Sequence, residues 1–560
     1  MTDSGGWLLA WAGDEGAAAL EVTASGAAAD AVHAHVSTLV DDRVASRLFA
    51  KDPTLWGPDA EAESAVRLSW VALARGSRHL VGEIAALRED LGADLDHVVL
   101  CGMGGSSLAP EVICATAGVP LTVLDSSDPD AVRAALGDRL ERSVVVVSSK
   151  SGGTLETDSQ RRAYEQAFTA VGIDPTARIV VVTDPGSPLE ACARAAGYRV
   201  VLADPDVGGR YSALTAFGLV PSGLAGVDVG ALLDEAEAVA DLLAEDAEGN
   251  PGLVLGAALA GRDGARDKLV LAQDGSGIPG FGDWAEQLIA ESTGKSGLGL
   301  LPVVVASTDA PELTDPAADV LPVRLVSSSD ETDEADADGA DAAKETVTTE
   351  VTVAGSLGAQ LLLWEVATAV AGRLLGINPF DQPDVESAKK AARGLLDAPA
   401  GESPAFVADG IEVRATPGLL DGVGDLDGAV AALLAAIDPE RGYLAVMAYL
   451  DRGADAALAD VRAPLARRTH RPTTFGWGPR FLHSTGQYHK GGPRIGVYLQ
   501  VTAAPHADLD VPGQPFTFGE LITAQAAGDA QVLADHDRPV LRLHLTDRVR
   551  GVARLLEVLR

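Results

Sequence analysis

Cysteine is scarce in this chain. Only Cys101, Cys114 and Cys192 occur in 560 residues, at spacings that suggest neither a disulfide framework nor a zinc site. Long apolar runs are missing as well. The longest, "LGAQLLLWEVATAVAGRLLGI", is broken by Glu365 and Arg373, which argues against a membrane span. The amino-terminal "MTDSGGWLLAWAGDEG" has no basic segment and its short apolar stretch runs into acids, so no signal peptide is expected. Positive charge is in short supply: 43 Lys and Arg face 81 Asp and Glu, a net charge of −38. That balance argues against nucleic acid or anionic membrane as a partner. It leaves room for an anionic small molecule, which local dipoles and a few cations can hold inside a negative protein. A cytoplasmic protein is the simplest expectation.

What is present is a globular composition, 47% hydrophobic, in a chain too long for one core. Residues 1–95 show apolar residues at three- and four-residue spacing and predict helices, including across "AAALEVTASGAAADAVHAHVSTLVDDRVASRLFA". From residue 96 the texture changes. The runs "HVVLCG", "LTVLDS", "SVVVVSS", "RIVVVTD" and "RVVLAD" alternate with helix-length segments, the pattern of a doubly wound parallel sheet. A second alternation lies in residues 226–400, with "KLVLAQDG", "LGLLPVVVAS" and "PVRLVS" as strands. It carries an acidic insertion at 327–345, too poor in apolar residues to fold by itself. Residues 401–560 mix strands and helices in a further α/β unit.

Two loops of the first alternation stand out. "LCGMGGSSLAPEV" offers Gly104, Gly105, Ser106 and Ser107 before a helix, where backbone N–H groups favour an anion. By itself this also reads as a tight strand-to-helix turn. "SVVVVSSKSGGTLETD" empties a buried strand into Ser149, Lys150, Ser151 and Thr154, with one lysine and, at its end, Glu156 and Asp158 as its only charges. Strand ends of one parallel sheet gather at its carboxyl edge, so the two loops predict a near-neutral cradle for a phosphate monoester. Neither ends as a nucleotide P-loop does.

This pair of loops resembles the sugar-isomerase (SIS) phosphate-binding domain, and three further segments narrow the resemblance to the glucose-6-phosphate isomerase family. "GGRYSALTAFGLVPSG", "EQLIAESTGKSG" and "INPFDQPDVESAKKAA" are similar to that family's signatures and stand in its order. The resemblance covers residues 96–392 and implies two SIS-type doubly wound domains, 96–225 and 226–400. They follow the helical segment 1–95 and precede the α/β unit 401–560. It implies aldose–ketose isomerisation through a cis-enediolate, without metal or cofactor, in a homodimer. By the same resemblance Gly105, Ser106, Ser149, Lys150, Ser151 and Thr154 surround the phosphate, with Gln287 nearby. Glu291 matches the base, Arg210 the cation beside the enediolate, and Gln382 and Lys389 the groups near the ring oxygen and hydroxyls. Each has a duller reading: Glu291 as a surface acid, Arg210 as a turn cap or a partner of Asp206, Lys389 as a solvated lysine.

One feature departs from the pattern. The family's ring-opening histidine precedes the Phe-Asp-Gln segment, yet no histidine occurs between Trp284 and Lys390. The nearest match is "HSTGQYHKGGP", which resembles the form in actinobacterial isomerases and their transaldolase-fused relatives. It makes His489 the candidate and His483 the runner-up. The resemblance implies that this histidine enters the partner subunit's site beside Glu156. Two other functions stay open at this point: an isomerase that also accepts mannose 6-phosphate, and a SIS-type sensor that binds without turnover.

Overall fold

The computed structural model describes residues 8–12, 20–92, 94–261, 266–327, 350–397 and 402–560. The acidic insertion, apart from its first residue, lies outside the described residues. The chain opens with a hairpin rather than helices only. Strands β1 (Leu8–Ala12) and β2 (Leu20–Ala24) pair antiparallel. Leu20, Val22 and Ala24 are buried while Glu21 and Thr23 are half-exposed, a period of two that five residues inside an alanine-rich run do not advertise. The helix expected there starts later, at Gly26–Asp41.

The first sheet comprises β3 (His97–Gly102), β4 (Thr122–Leu124), β5 (Ser143–Ser148), β6 (Ile179–Thr183) and β7 (Arg199–Leu202), in the order β4-β3-β5-β6-β7, all parallel. β3, β5 and β6 are buried along their whole length, as strands covered on both faces must be. Gly102 pairs in register with Ser148, so both loops singled out above leave the sheet side by side.

The second sheet adds β8 (Lys268–Asp274), β9 (Leu301–Val305), β10 (Val320–Val326) and β11 (Val351–Ala354), in the order β1-β2-β11-β10-β8-β9. β8 to β11 run parallel, and the amino-terminal hairpin extends that sheet antiparallel through β2 and β11. The third sheet holds β12 (Phe406–Ala408), β13 (Ile411–Ala415), β14 (Tyr443–Tyr449), β15 (Thr473–Trp477), β16 (Gly496–Ala503) and β17 (Val540–Leu545). Its order is β12-β13-β17-β16-β14-β15, parallel from β17 to β15 with an antiparallel edge.

One continuous core joins the first two sheets around the helix Leu357–Leu374. A separate cluster joins the second sheet to the third, where Val270, Leu301 and Val303 meet Tyr443, Tyr449, Tyr488 and Tyr498. Buried ion pairs cross the same boundary: Arg471 with Asp319 at 2.5 Å and Arg462 with Glu312 at 2.5 Å. Removing one partner of such a pair costs about 3–5 kcal/mol, because the other charge stays buried alone. The carboxy-terminal unit is therefore firmly docked. Among the described residues no helix is long and apolar enough to cross a membrane.

Candidate active site

Three loops and one helix converge where the sheets meet. After β3 the backbone turns at Gly104–Ser106, with Gly104 at φ +57°. A Cβ on Gly105 would lie 1.9 Å from the carbonyl oxygen of Gly209, so only glycine lets this loop touch the turn that carries Arg210. Ser106 is buried beside them. After β5, Ser149 donates its hydroxyl to Thr154 at 3.2 Å, and Ser151 accepts from the Gly153 N–H at 3.3 Å. Lys150 is held by Asp184 at 2.5 Å and by the Pro205 carbonyl at 3.3 Å. Thr154 precedes the helix Leu155–Ala170, whose first turn presents Glu156, a position at which the helix dipole favours a carboxylate.

The helix Phe281–Thr293 supplies the opposite wall. Gln287 and Glu291 are one turn apart on one face, and Gln287 Nε2 donates to Glu291 Oε2 at 3.1 Å. Gln287 Oε1 is buried and has no hydrogen-bond partner among the described residues. Arg210 is buried with every arm engaged. Its Nε donates to Ser292 at 2.8 Å, Nη2 to the carbonyls of Pro379 and Asp381 at 2.6 and 3.0 Å, and Nη1 to Gln382 at 3.2 Å. Nη1 also lies 3.6 Å from Glu291 Oε1. A buried carboxylate and a fixed guanidinium thus face one another.

The two histidines part company. His483, in the turn Arg480–His483 that follows β15, places Nε2 3.2 Å from Glu156 Oε1, and its carbonyl accepts from Gln287 Nε2 at 2.7 Å. His489 is elsewhere. It is buried among Tyr443, Phe481 and Tyr498, and neither ring nitrogen has a hydrogen-bond partner among the described residues. Burial, followed by the Lys490 charge, pushes its pKa well below the ordinary value. Within this chain His489 does not stand beside Glu156. The imidazole that meets Glu156 is that of His483, from the same chain.

Four more residues shape the site without having been singled out. Lys295 donates to the carbonyls of Asn378 and Asp381 at 2.8 and 2.6 Å and to Asp381 Oδ1 at 2.7 Å, tying down the Phe-Asp-Gln turn. Burial, and next the Arg210 guanidinium, push its pKa down to about 8. Gln487 accepts from the Asp384 N–H at 3.0 Å and donates to the Gly294 carbonyl at 2.9 Å. Ser292 bridges Arg210 and Tyr211. Gln525 donates to Glu156 Oε1 at 2.7 Å. Lys295, Gln487 and Ser292 stand inside the quoted motifs and were open to assignment; nothing near Gln525 marks it. Lys389 sits on the helix Pro383–Asp397, and its side chain lies outside the described residues.

Comparisons with known proteins follow the same line. No family model matches the chain. It is 31% identical over 354 residues to a protein named "Probable glucose-6-phosphate isomerase" from Haloarcula marismortui, covering 56% of this chain and 81% of that one. A Natronomonas pharaonis protein of the same name is 32% identical over 57% of this chain and 83% of its own. A "Glucose-6-phosphate isomerase" of Synechococcus elongatus is 29% identical over 64% of this chain and 76% of its own. In structure the chain is similar to a hypothetical protein from Thermus thermophilus, with a TM-score of 0.54 at 24% identity, over 66% of this chain and 97% of that one. That last likeness concerns the fold alone.

Proposed function

The chain belongs to the glucose-6-phosphate isomerase family, and from that premise we propose how it interconverts glucose 6-phosphate and fructose 6-phosphate. The hydroxyls of Ser106, Ser149, Ser151 and Thr154, with the backbone at Gly105, hold the phosphate; Lys150 and Gln287 stand beside it. Glu291 removes the proton at C2 and returns it at C1. Arg210 stabilises the cis-enediolate oxygens, since a fixed cation is worth most where charge develops in a water-poor site. Gln382 and Lys389 contact the ring oxygen and hydroxyls. His483, oriented by Glu156, exchanges the proton at the ring oxygen; this replaces His489 in that role. A proton moves within one substrate molecule, so the chemistry requires neither metal nor redox cofactor.

One observation carries this reading: buried Glu291 lies 3.6 Å from buried Arg210, on the helix face whose Gln287 holds the backbone of His483. A sugar-phosphate sensor without turnover needs no such pair, and no observation favours mannose 6-phosphate. The family supports a homodimer in the cytoplasm, in which we take each subunit to use its own histidine. A coupled assay of fructose 6-phosphate conversion tests the function directly. Glu291→Gln keeps the shape and removes the base, so kcat is expected to fall at least about 10²-fold. Near-parent turnover in that variant overturns the assignment.

A further inference from the structure

Gln525 plays no part in the steps above, yet its amide is bonded directly to Glu156. It lies buried on the helix Phe518–Asp535, whose start is fixed by reciprocal bonds between Thr517 and Glu520. Its Nε2 donates to Glu156 Oε1 at 2.7 Å, and its Oε1 accepts from the Ser127 hydroxyl at 2.5 Å. Ser127 is itself fully buried in the loop after β4. The same Glu156 Oε1 stands 3.2 Å from His483 Nε2. An ionised carboxylate only accepts, so both atoms that face it must carry hydrogen. The amide can point its nitrogen at Glu156 because Ser127 satisfies its oxygen.

We propose that Gln525 is a positioning residue for the isomerase reaction: it locks Glu156 so that His483 keeps its proton on Nε2 and presents Nδ1 to the substrate. Nδ1 has no hydrogen-bond partner among the described residues. In ring opening, the imidazolium gives its Nδ1 proton to the ring oxygen as the ring C–O bond breaks. The anomeric hydroxyl releases its proton to water and becomes the carbonyl, and closure reverses these transfers. A hydrogen-bonded partner on one ring nitrogen is the ordinary means of fixing which nitrogen does the chemistry. The inference rests on the isomerase reading and on His483 within it.

The test compares the parent enzyme with Gln525→Leu and with Ser127→Ala. The first readout is the ratio of kcat/KM for fructose 6-phosphate, which must open its ring, to that for 5-deoxyfructose 6-phosphate, which cannot close one through O5. Gln525→Leu is expected to lower that ratio about tenfold, a share of the 10²–10⁴ that a proton-transferring group contributes. Ser127→Ala should lower it less, in the same direction. The second readout is the tautomer of neutral His483 by nitrogen NMR: Nε2–H in the parent, with Nδ1–H gaining population in Gln525→Leu. A merely structural role would move neither. An unchanged ratio and an unchanged tautomer in folded Gln525→Leu overturn the proposal. If that variant does not fold, Ser127→Ala decides on the same two readouts. If the parent converts no fructose 6-phosphate, the isomerase reading has failed and the catalytic part of this proposal with it; the tautomer comparison then decides only whether Gln525 sets the proton position on His483.

Discussion

At the scale of single residues, six positions separate two histidines with opposite environments. His483→Ala is expected to lower turnover of fructose 6-phosphate by about 10²-fold, the contribution of a proton-transferring group. His489→Phe keeps a ring in the aromatic pocket and removes two unpartnered nitrogens, so steady-state kinetics should stay within about twofold of the parent, as expected for a residue outside the chemistry. The reverse pattern would restore His489. Sequence resemblance narrowed the choice to this motif and put His489 ahead of His483. The motif has moved along the chain, and a turn of 3₁₀-helix, which spacing does not reveal, decides which imidazole faces Glu156. Glu291, Gln287 and Arg210 were singled out by their agreement with the family motifs, and a turn of helix and a Gly-Gly-Arg loop set their geometry. Lys295 adds a pH signature. Its folded pKa of about 8 lies below the ordinary 10.5, so between those values the unfolded chain binds the extra proton. Raising the pH from 8 to 10.5 therefore favours the folded state through this residue, by up to about 3 kcal/mol at 1.36 kcal/mol per unit. Denaturant titrations should show the parent gaining stability relative to Lys295→Met across that window; a constant difference would contradict it.

At the scale of elements, the hydroxyl loop after β5 offers donors that add no charge. Ser149→Ala combined with Thr154→Ala removes two of them and their mutual bond. KM for fructose 6-phosphate is expected to rise about tenfold or more, since each lost bond to a charged group is worth about 1.5–3 kcal/mol, while kcat changes less. Unchanged affinity for a six-carbon phosphate inhibitor, measured by calorimetry, would move the phosphate elsewhere. The strands that flank this loop were legible because a strand buried on both faces must be continuously apolar, as "SVVVVS" is. β2 and β13 escaped for the converse reason. Each is five residues long with alternating or partial burial, and each is fixed in its sheet by a partner distant in sequence, β2 by β11 and β13 by β17, beside its short hairpin partner β1 or β12. Such pairing belongs to tertiary structure, which local propensity does not encode.

At the scale of the whole molecule, the site draws on all three sheets. The first contributes the glycine- and hydroxyl-rich loops and Glu156, the second Gln287 and Glu291, and the carboxy-terminal unit His483 and Gln525. That unit does not reach the site loosely. Its tyrosines share a core with the second sheet, and buried pairs such as Arg471 with Asp319 fasten it there. The family resemblance implies a histidine that crosses from a partner subunit, and that arrangement makes a clear prediction about mixtures. Two inactive variants, one lacking the histidine and one lacking the base, would form some hybrid dimers with one intact site and regain part of the activity. With His483 held against Glu156 of its own chain, no hybrid combines a good histidine with a good base, because both must come from one polypeptide. Mixing His483→Ala with Glu291→Gln, after denaturation and refolding together to allow exchange, should therefore give no more activity than the two variants assayed apart. Recovery toward a quarter or more of the parent rate, the order expected when random pairing makes about half the dimers hybrid with one working site of two, would show that the histidine is exchanged between subunits and that its contact within the chain is not the productive one.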